Sequence, residues 1–204
     1  MKVILVRHAE TEWNVQGIIQ GQCDSAVSER GRRETAALVA ALAKEDHVVE
    51  RVYASPLGRA WQMAQTLAQR FACPVIAESA LKEQAFGMFE EMNIASLASD
   101  YPDEAEALFS SHADYCPPGG ESLAQATHRM LRFLHCLADE QKRQTVYLVS
   151  HGHIIQGTLA MLNEGNLVNF ARYAQPNASY STFELIDGRC TALKWGIASH
   201  LLQC

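Results

Sequence analysis

Apolar residues along this chain fall into two patterns. Short unbroken runs, Val3-Ile4-Leu5-Val6 and Val146-Tyr147-Leu148-Val149, show no alternation with polar residues, as expected of strands buried on both faces. Lys2–Val6 and Thr145–Ser150 are therefore predicted as central strands, with shorter ones at Arg51–Ala54 and Val75–Ala77. Elsewhere the apolar positions recur at helical spacing. Ser28 is predicted as the N-cap of a helix running to about Lys44, with Ala36, Ala37, Leu38, Ala40 and Leu42 as its apolar content. Ser55-Pro56 reads as N-cap and first-turn proline of a helix reaching about Phe71. Leu123, Thr127, Met130, Leu134 and Leu137 share one stripe, which predicts a helix from Ser122 to about Glu140, and another helix follows at Ile154–Leu162.

The remaining segments are less regular. His8 to Val27 reads mainly as a long loop, and Leu81 to Glu91 has no clear period. Asn93 to His112 looks helical with a break at Pro102, and Cys116-Pro117-Pro118-Gly119-Gly120 is the strongest turn signal. Tyr180–Ile186 and Thr191–Trp195, joined around Asp187-Gly188, predict a hairpin at the sheet edge. Strands alternating with helices give an α/β class. The expected architecture is three-layered, a mostly parallel central sheet flanked by helices. One domain spans 1–204, with residues 81–120 as a small helical and loop lid inserted over one end.

Composition narrows the function. A net charge of −6 with scattered basic residues argues against nucleic-acid binding. Arg30, Arg32 and Arg33 form the only dense basic group and suit a solvated helix face. The six cysteines include no C-x-x-C pair, so cytosolic thiols are the expectation. The apolar run before Arg7 is too short for a signal peptide, and no stretch approaches the ~18 apolar residues of a membrane span. A cytoplasmic protein without membrane partners is expected. An exposed sheet edge permits a homodimer without requiring one.

Both central strands end in histidine: Arg7-His8 after the first, His151-Gly152-His153 after the second. Strand ends are where open α/β sheets place their chemistry. Arg59 opens a helix and Glu83 lies in the non-periodic segment. Two guanidinium groups, two imidazoles and a carboxylate suit phosphoryl transfer. A phosphoryl group carries nearly two negative charges, which spread over three oxygens in the transition state. Arginine meets such oxygens with parallel N–H bonds. One imidazole can attack phosphorus, a cationic neighbour can steady the oxygens, and a carboxylic acid can protonate the departing alkoxide.

The ordered set Leu5-Val6-Arg7-His8-Ala9-Glu10-Thr11 with Trp13-Asn14, Gln20-Gly21-Gln22-Cys23-Asp24-Ser25, Ser55-Pro56-Leu57-Gly58-Arg59-Ala60, Gly119-Gly120-Glu121-Ser122 and Val149-Ser150-His151-Gly152 resembles the histidine phosphatase superfamily, which includes cofactor-dependent phosphoglycerate mutases. The resemblance runs from Lys2 to about His200. It implies a phosphomonoesterase of the histidine acid type, acting on small phosphorylated metabolites without metal or cofactor. By it His8 is the nucleophile, Arg7, Arg59 and His151 complete the phosphate pocket, and Asn14 and the Gly152 N–H contact the phosphate. Glu83 is the implied proton donor, with Glu90 as second candidate.

Several residues depart from the family pattern. Ala9 and Glu91 stand where glycine is usual, and Met63 where threonine is common. Ala9 is harmless if its φ is negative; a lost glycine at Glu91 would reshape the segment near Glu83. Mutase-type members carry arginine and tyrosine just after the proton donor; here Gln84-Ala85-Phe86 follows. That favours hydrolysis over a 2,3-bisphosphoglycerate-dependent mutase. A weakly active phosphate-binding or regulatory protein is a third reading. Bland roles are expected for several neighbours: His153 flanking a helix, Glu10 anchoring the loop, Glu121-Ser122 capping, Asn177 bonding across the sheet end, His200 packing. Trp13, Trp61 and Trp195 read as core or lid residues, and Phe86, Met88 and Phe89 as an apolar wall or lid packing.

Overall fold

The computed structural model describes residues 1–45, 48–140 and 144–203; Cys204 lies outside the described residues. Six strands form one sheet in the order β3-β2-β4-β1-β5-β6. They are β1 (Lys2–Arg7), β2 (Arg51–Ala54), β3 (Val75–Ala77), β4 (Thr145–Ser150), β5 (Tyr180–Ile186) and β6 (Arg189–Ile197). The first four run parallel, and β5 and β6 add an antiparallel hairpin on the far side of β1.

The unbroken apolar runs are explained by helices on both faces. Val3 and Leu5 of β1 and Val146 and Leu148 of β4 pack under α6 (Leu123–Glu140) and α7 (Gly152–Glu164). Their alternates Ile4, Val6, Tyr147 and Val149 face α2 (Glu29–Leu42) and α3 (Gly58–Phe71). Each face receives every second residue of the same strand, so no position is left for a polar side chain. Met63 is buried in the second of these cores, a packing position.

Two sequence expectations need correction. The long loop after β1 contains a short helix, α1 (Glu12–Gln16). Thr11 and Asn14 close a reciprocal capping box there, each side chain accepting from the other's backbone N–H. Ser55-Pro56 does not cap α3. That helix starts at Gly58 after Leu57, and the Asp24 carboxylate, not a local side chain, accepts from the Gly58 and Arg59 N–H groups.

Residues 81–120 contribute α4 (Ile94–Asp100), α5 (Pro102–Glu106) and a π-type turn, Ala107–Ser111. Pro102 opens α5 at its first turn. Phe86, Phe89, Leu97 and Leu108 form a small core of their own with Ile19. Beyond the turn at Cys116–Gly120, Ser122 and Gln125 cap α6 reciprocally. Among the described residues no helix is long and apolar enough to cross a membrane.

Candidate active site

The parallel pairing of β1 with β4 sets Arg7 opposite Ser150. The next residues, His8 and His151, therefore emerge side by side, with ring centroids 5.1 Å apart and planes tilted by 57°. The end of β2, beside β4, leads through Ser55 to Arg59 at the start of α3. Arg7, His8, Asn14, Arg59, Glu83 and Gly152 line one cavity of about 180 Å³. His151 is fully buried beside His8 rather than on the cavity wall.

The hydrogen bonds orient each group. His8 Nδ1 lies 2.7 Å from the Ala9 carbonyl oxygen. A carbonyl only accepts, so Nδ1 holds the ring proton and Nε2 keeps its lone pair. The backbone oxygen of His8 accepts from the Ala178 N–H and the Asn177 side-chain amide. His151 Nε2 is 2.7 Å from Ser55 Oγ. A Ser55 hydroxyl donating there leaves the imidazole proton on Nδ1, which is buried without a protein partner.

Arg7 donates through Nη1 to the Gln175 carbonyl oxygen. Arg59 donates to the carbonyls of Cys23 (2.6 Å) and Gly21 (2.7 Å) and pairs with Asp24 at 3.0 Å. Both arginines leave Nε buried and without a protein partner, so each still offers a donor to an anion. Gly152 belongs beside Arg7: a Cβ there would lie 3.0 Å from the guanidinium carbon.

Glu83 is held from three directions. Its carboxylate accepts from the N–H groups of Gln84 (2.9 Å), Ile154 (2.9 Å) and His153 (3.0 Å). The last two are orphan donors of the first turn of α7, a place that favours negative charge. Oε2 takes only one of these bonds, so a lone pair remains for a proton. The main chain at Glu83 is pinned by Arg129, which donates to the carbonyls of Ala80 (2.7 Å) and Glu83 (2.9 Å) while paired with Glu121 at 2.7 Å. Glu121 also accepts from the Ala85 N–H at 3.1 Å.

Burial and positive neighbours control the imidazoles. Burial, then Arg59, then Arg7 hold His8 well below its ordinary pKa. Burial, Arg59 and His8 do the same to His151. His153 is lowered by burial as well. Both strand-end histidines are thus neutral near pH 7. With Ser55 Oγ as the donor to Nε2, His151 offers a proton through Nδ1 to an anion held beside the nucleophile.

The other candidates find definite places. Asn14 lines the cavity, its Oδ1 spent on the Thr11 N–H and the Asn177 amide. Glu90 accepts from the N–H groups of Gln22 and Phe86 and from the Cys23 thiol, and so braces the loop. The Glu90 contact pushes that thiol up to about 11. Glu10 accepts from Ser28 Oγ, His200 bonds the Ala178 carbonyl, and His153 is bonded to Gln84 and lines the cavity. Ala9 keeps a negative φ, whereas Glu91 holds φ +68°, the left-handed backbone a glycine would favour. Met88 is exposed, and Trp195, also partly exposed, lays its ring against Tyr173 at a centroid distance of 5.0 Å. Asp24, Ser55, Glu121 and Arg129 acquire parts that sequence reasoning did not assign. Asp24, Ser55 and Glu121 lie inside the quoted motifs, but only the fold shows what they touch.

The family model of the histidine phosphatase superfamily (branch 1) matches residues 3–198. Phosphoserine phosphatase 1 of Hydrogenobacter thermophilus is 33% identical over 98% of this chain and 94% of its own length. A metal-independent phosphoserine phosphatase of Arabidopsis thaliana is 33% identical over 98% of this chain and 83% of its own. Among solved structures, Bacillus stearothermophilus YhfR superposes with a TM-score of 0.89 at 25% identity, covering 98% of both chains.

Proposed function

The chain belongs to the histidine phosphatase superfamily, and from that premise we propose that it hydrolyses phosphate monoesters of small metabolites through a phosphohistidine on His8. The observation that carries this reading is the His8 ring, neutral, with Nδ1 bonded to a carbonyl and Nε2 left to attack. Nε2 forms a bond to phosphorus as the bond to the ester oxygen breaks. Glu83 gives its proton to that oxygen, and the alcohol leaves. Glu83, now a carboxylate, takes a proton from water as the water oxygen attacks phosphorus. The N–P bond breaks, and inorganic phosphate and free His8 are restored. Arg7, Arg59 and His151 Nδ1–H hold the phosphoryl oxygens through both steps, with Asn14 and the Gly152 N–H at its edge.

No metal takes part in this scheme, since the two arginines supply the positive charge. We assign the enzyme to the histidine acid type, with Glu83 as the group that passes a proton to the leaving oxygen. Residues 81–120 act as a lid, and the protein works in the cytoplasm; the thiols free among the described cysteines fit that setting. Neither nucleic acid nor membrane is a partner. A homodimer would pair at β6, the outer strand of the sheet. The mutase reading is disfavoured because Gln84-Ala85-Phe86 offers no cation beside Glu83.

Hydrolysis of p-nitrophenyl phosphate in excess chelator tests the proposal. Wild type should turn over undiminished, and His8→Ala should lose at least ~10³-fold, a typical order for losing a covalent nucleophile. Inhibition by the chelator, or an active His8→Ala, would refute it.

A further inference from the structure

The charges on the cavity wall are all used by the chemistry. Among the described residues, Arg7, Arg59 and Glu83 are the only Arg, Lys, Asp or Glu on that wall. The two imidazoles that share it, His8 and His153, are held toward their neutral forms. Away from the phosphoryl end the surface is Ile18, Ile19, Phe86, Ile94 and Phe109. Phe86 and Phe109 stand with ring centroids 5.9 Å apart, and both pack on His153, at 5.5 and 5.6 Å. The remaining polar groups there, including Gln20 and Gln156, are neutral amides.

From this wall we infer that the alcohol half of the substrate is uncharged and presents a compact apolar ring or chain to Phe86, Phe109 and Ile94. The inference rests on the phosphatase reading and names its substrate class. The reason is desolvation. A carboxylate or ammonium on the alcohol would lose water against isoleucine and phenylalanine with no opposite charge to meet it. Arg7 and Arg59 cannot serve, because the phosphoryl group occupies them. An apolar group, by contrast, gains by leaving water at the same place. Size points the same way. A cavity of about 180 Å³ lies below the ~300–1,000 Å³ of pockets for larger ligands, so one ring-sized group beside the phosphoryl fits. Phosphoserine and phosphoglycerate, each with a carboxylate near the ester, are the wrong partners for this wall.

The test compares kcat/KM for benzyl phosphate, phosphoserine and 3-phosphoglycerate on the intact protein, with p-nitrophenyl phosphate as the activity standard. All three of these esters leave as alkyl alcohols, so the demand on Glu83 is similar and the comparison isolates the wall. Benzyl phosphate should exceed both carboxylate esters by ~100-fold, the order expected for one unpaired charge at a partly desolvated site. Ile94→Arg places a cation at the rim and should narrow that gap ~10-fold by raising the carboxylate esters. Phosphoserine or phosphoglycerate turned over as well as benzyl phosphate would overturn the substrate assignment and leave the phosphatase reading standing. An unchanged ratio in a folded Ile94→Arg would overturn the placement of the alcohol against this wall. Failure to hydrolyse any of the four esters would overturn the phosphatase reading and this inference with it.

Discussion

Acidifying the protein from about pH 6.5 to pH 5 should destabilise it steeply, and the three buried histidines at the site set how steeply. His8, His151 and His153 all have pKa values below the ordinary 6.5, with burial the largest cause. The sign follows from proton linkage. Below pH 6.5 the unfolded chain takes up protons on these rings and the folded chain does not, so acid favours unfolding. This stability is fully present above the unfolded pKa and is lost as pH falls, until the folded rings themselves accept protons. Each ring contributes a slope of at most about 1.4 kcal/mol per pH unit. Three give at most about 4 kcal/mol per unit, a large share of the 5–15 kcal/mol typical of a domain. Urea unfolding at several pH values in this window measures the slope, in a buffer free of phosphate. His8→Gln should reduce it by up to about 1.4 kcal/mol per pH unit whatever it does to absolute stability. A wild-type stability that is flat between pH 6.5 and 5, or a slope unchanged in His8→Gln, would show that these rings do not set the acid sensitivity.

Other expectations are local. Glu83→Gln should slow alkyl phosphates by at least ~100-fold and p-nitrophenyl phosphate far less, since only the alkoxide needs a proton; equal losses would remove Glu83 as the acid. Arg129→Met frees the main chain at Ala80 and Glu83 and should cost ~10-fold in kcat for alkyl esters, with little change for the aryl ester, as misplacing a catalytic group does. Lysine there, lacking the planar fork, should not restore the rate, and a loss equal for both esters would mean Arg129 only holds the fold. Glu91→Gly relieves a left-handed residue and should raise unfolding stability by about 0.5–1 kcal/mol; a fall in the urea midpoint would contradict that.

What could be read from the chain was local in sequence or repeated in pattern. The strand ends at Arg7-His8 and His151 were visible because Val3–Val6 and Val146–Val149 are apolar at every position, as two core faces require. Helix α6 announced itself by its stripe, and Val75–Ala77 proved to be a strand beside β2. What escaped depended on residues far apart along the chain. Ser55 resembled a helix cap, yet its hydroxyl meets His151, 96 positions away. Asp24 caps α3 and pairs with Arg59, 35 positions on. Arg129, an ordinary surface-type residue on a helix, reaches back to the loop carrying Glu83. Helix α1 was missed for another reason: its signal was a single Thr11–Asn14 capping box over five residues, too short for periodicity to register. The burial that lowers the His151 pKa is likewise a property of the fold, not of the local sequence.

In the proposed reaction His8 carries the phosphoryl group between two half-reactions. Rapid mixing with a phosphate monoester, an alkaline quench that preserves a nitrogen–phosphorus bond, and peptide mass spectrometry address it directly. One phosphoryl group should appear on the peptide holding His8, localised to that ring, formed within the first turnover and absent from His8→Ala. A phosphoryl group on another residue, or steady hydrolysis by His8→Ala at the wild-type rate, would contradict it.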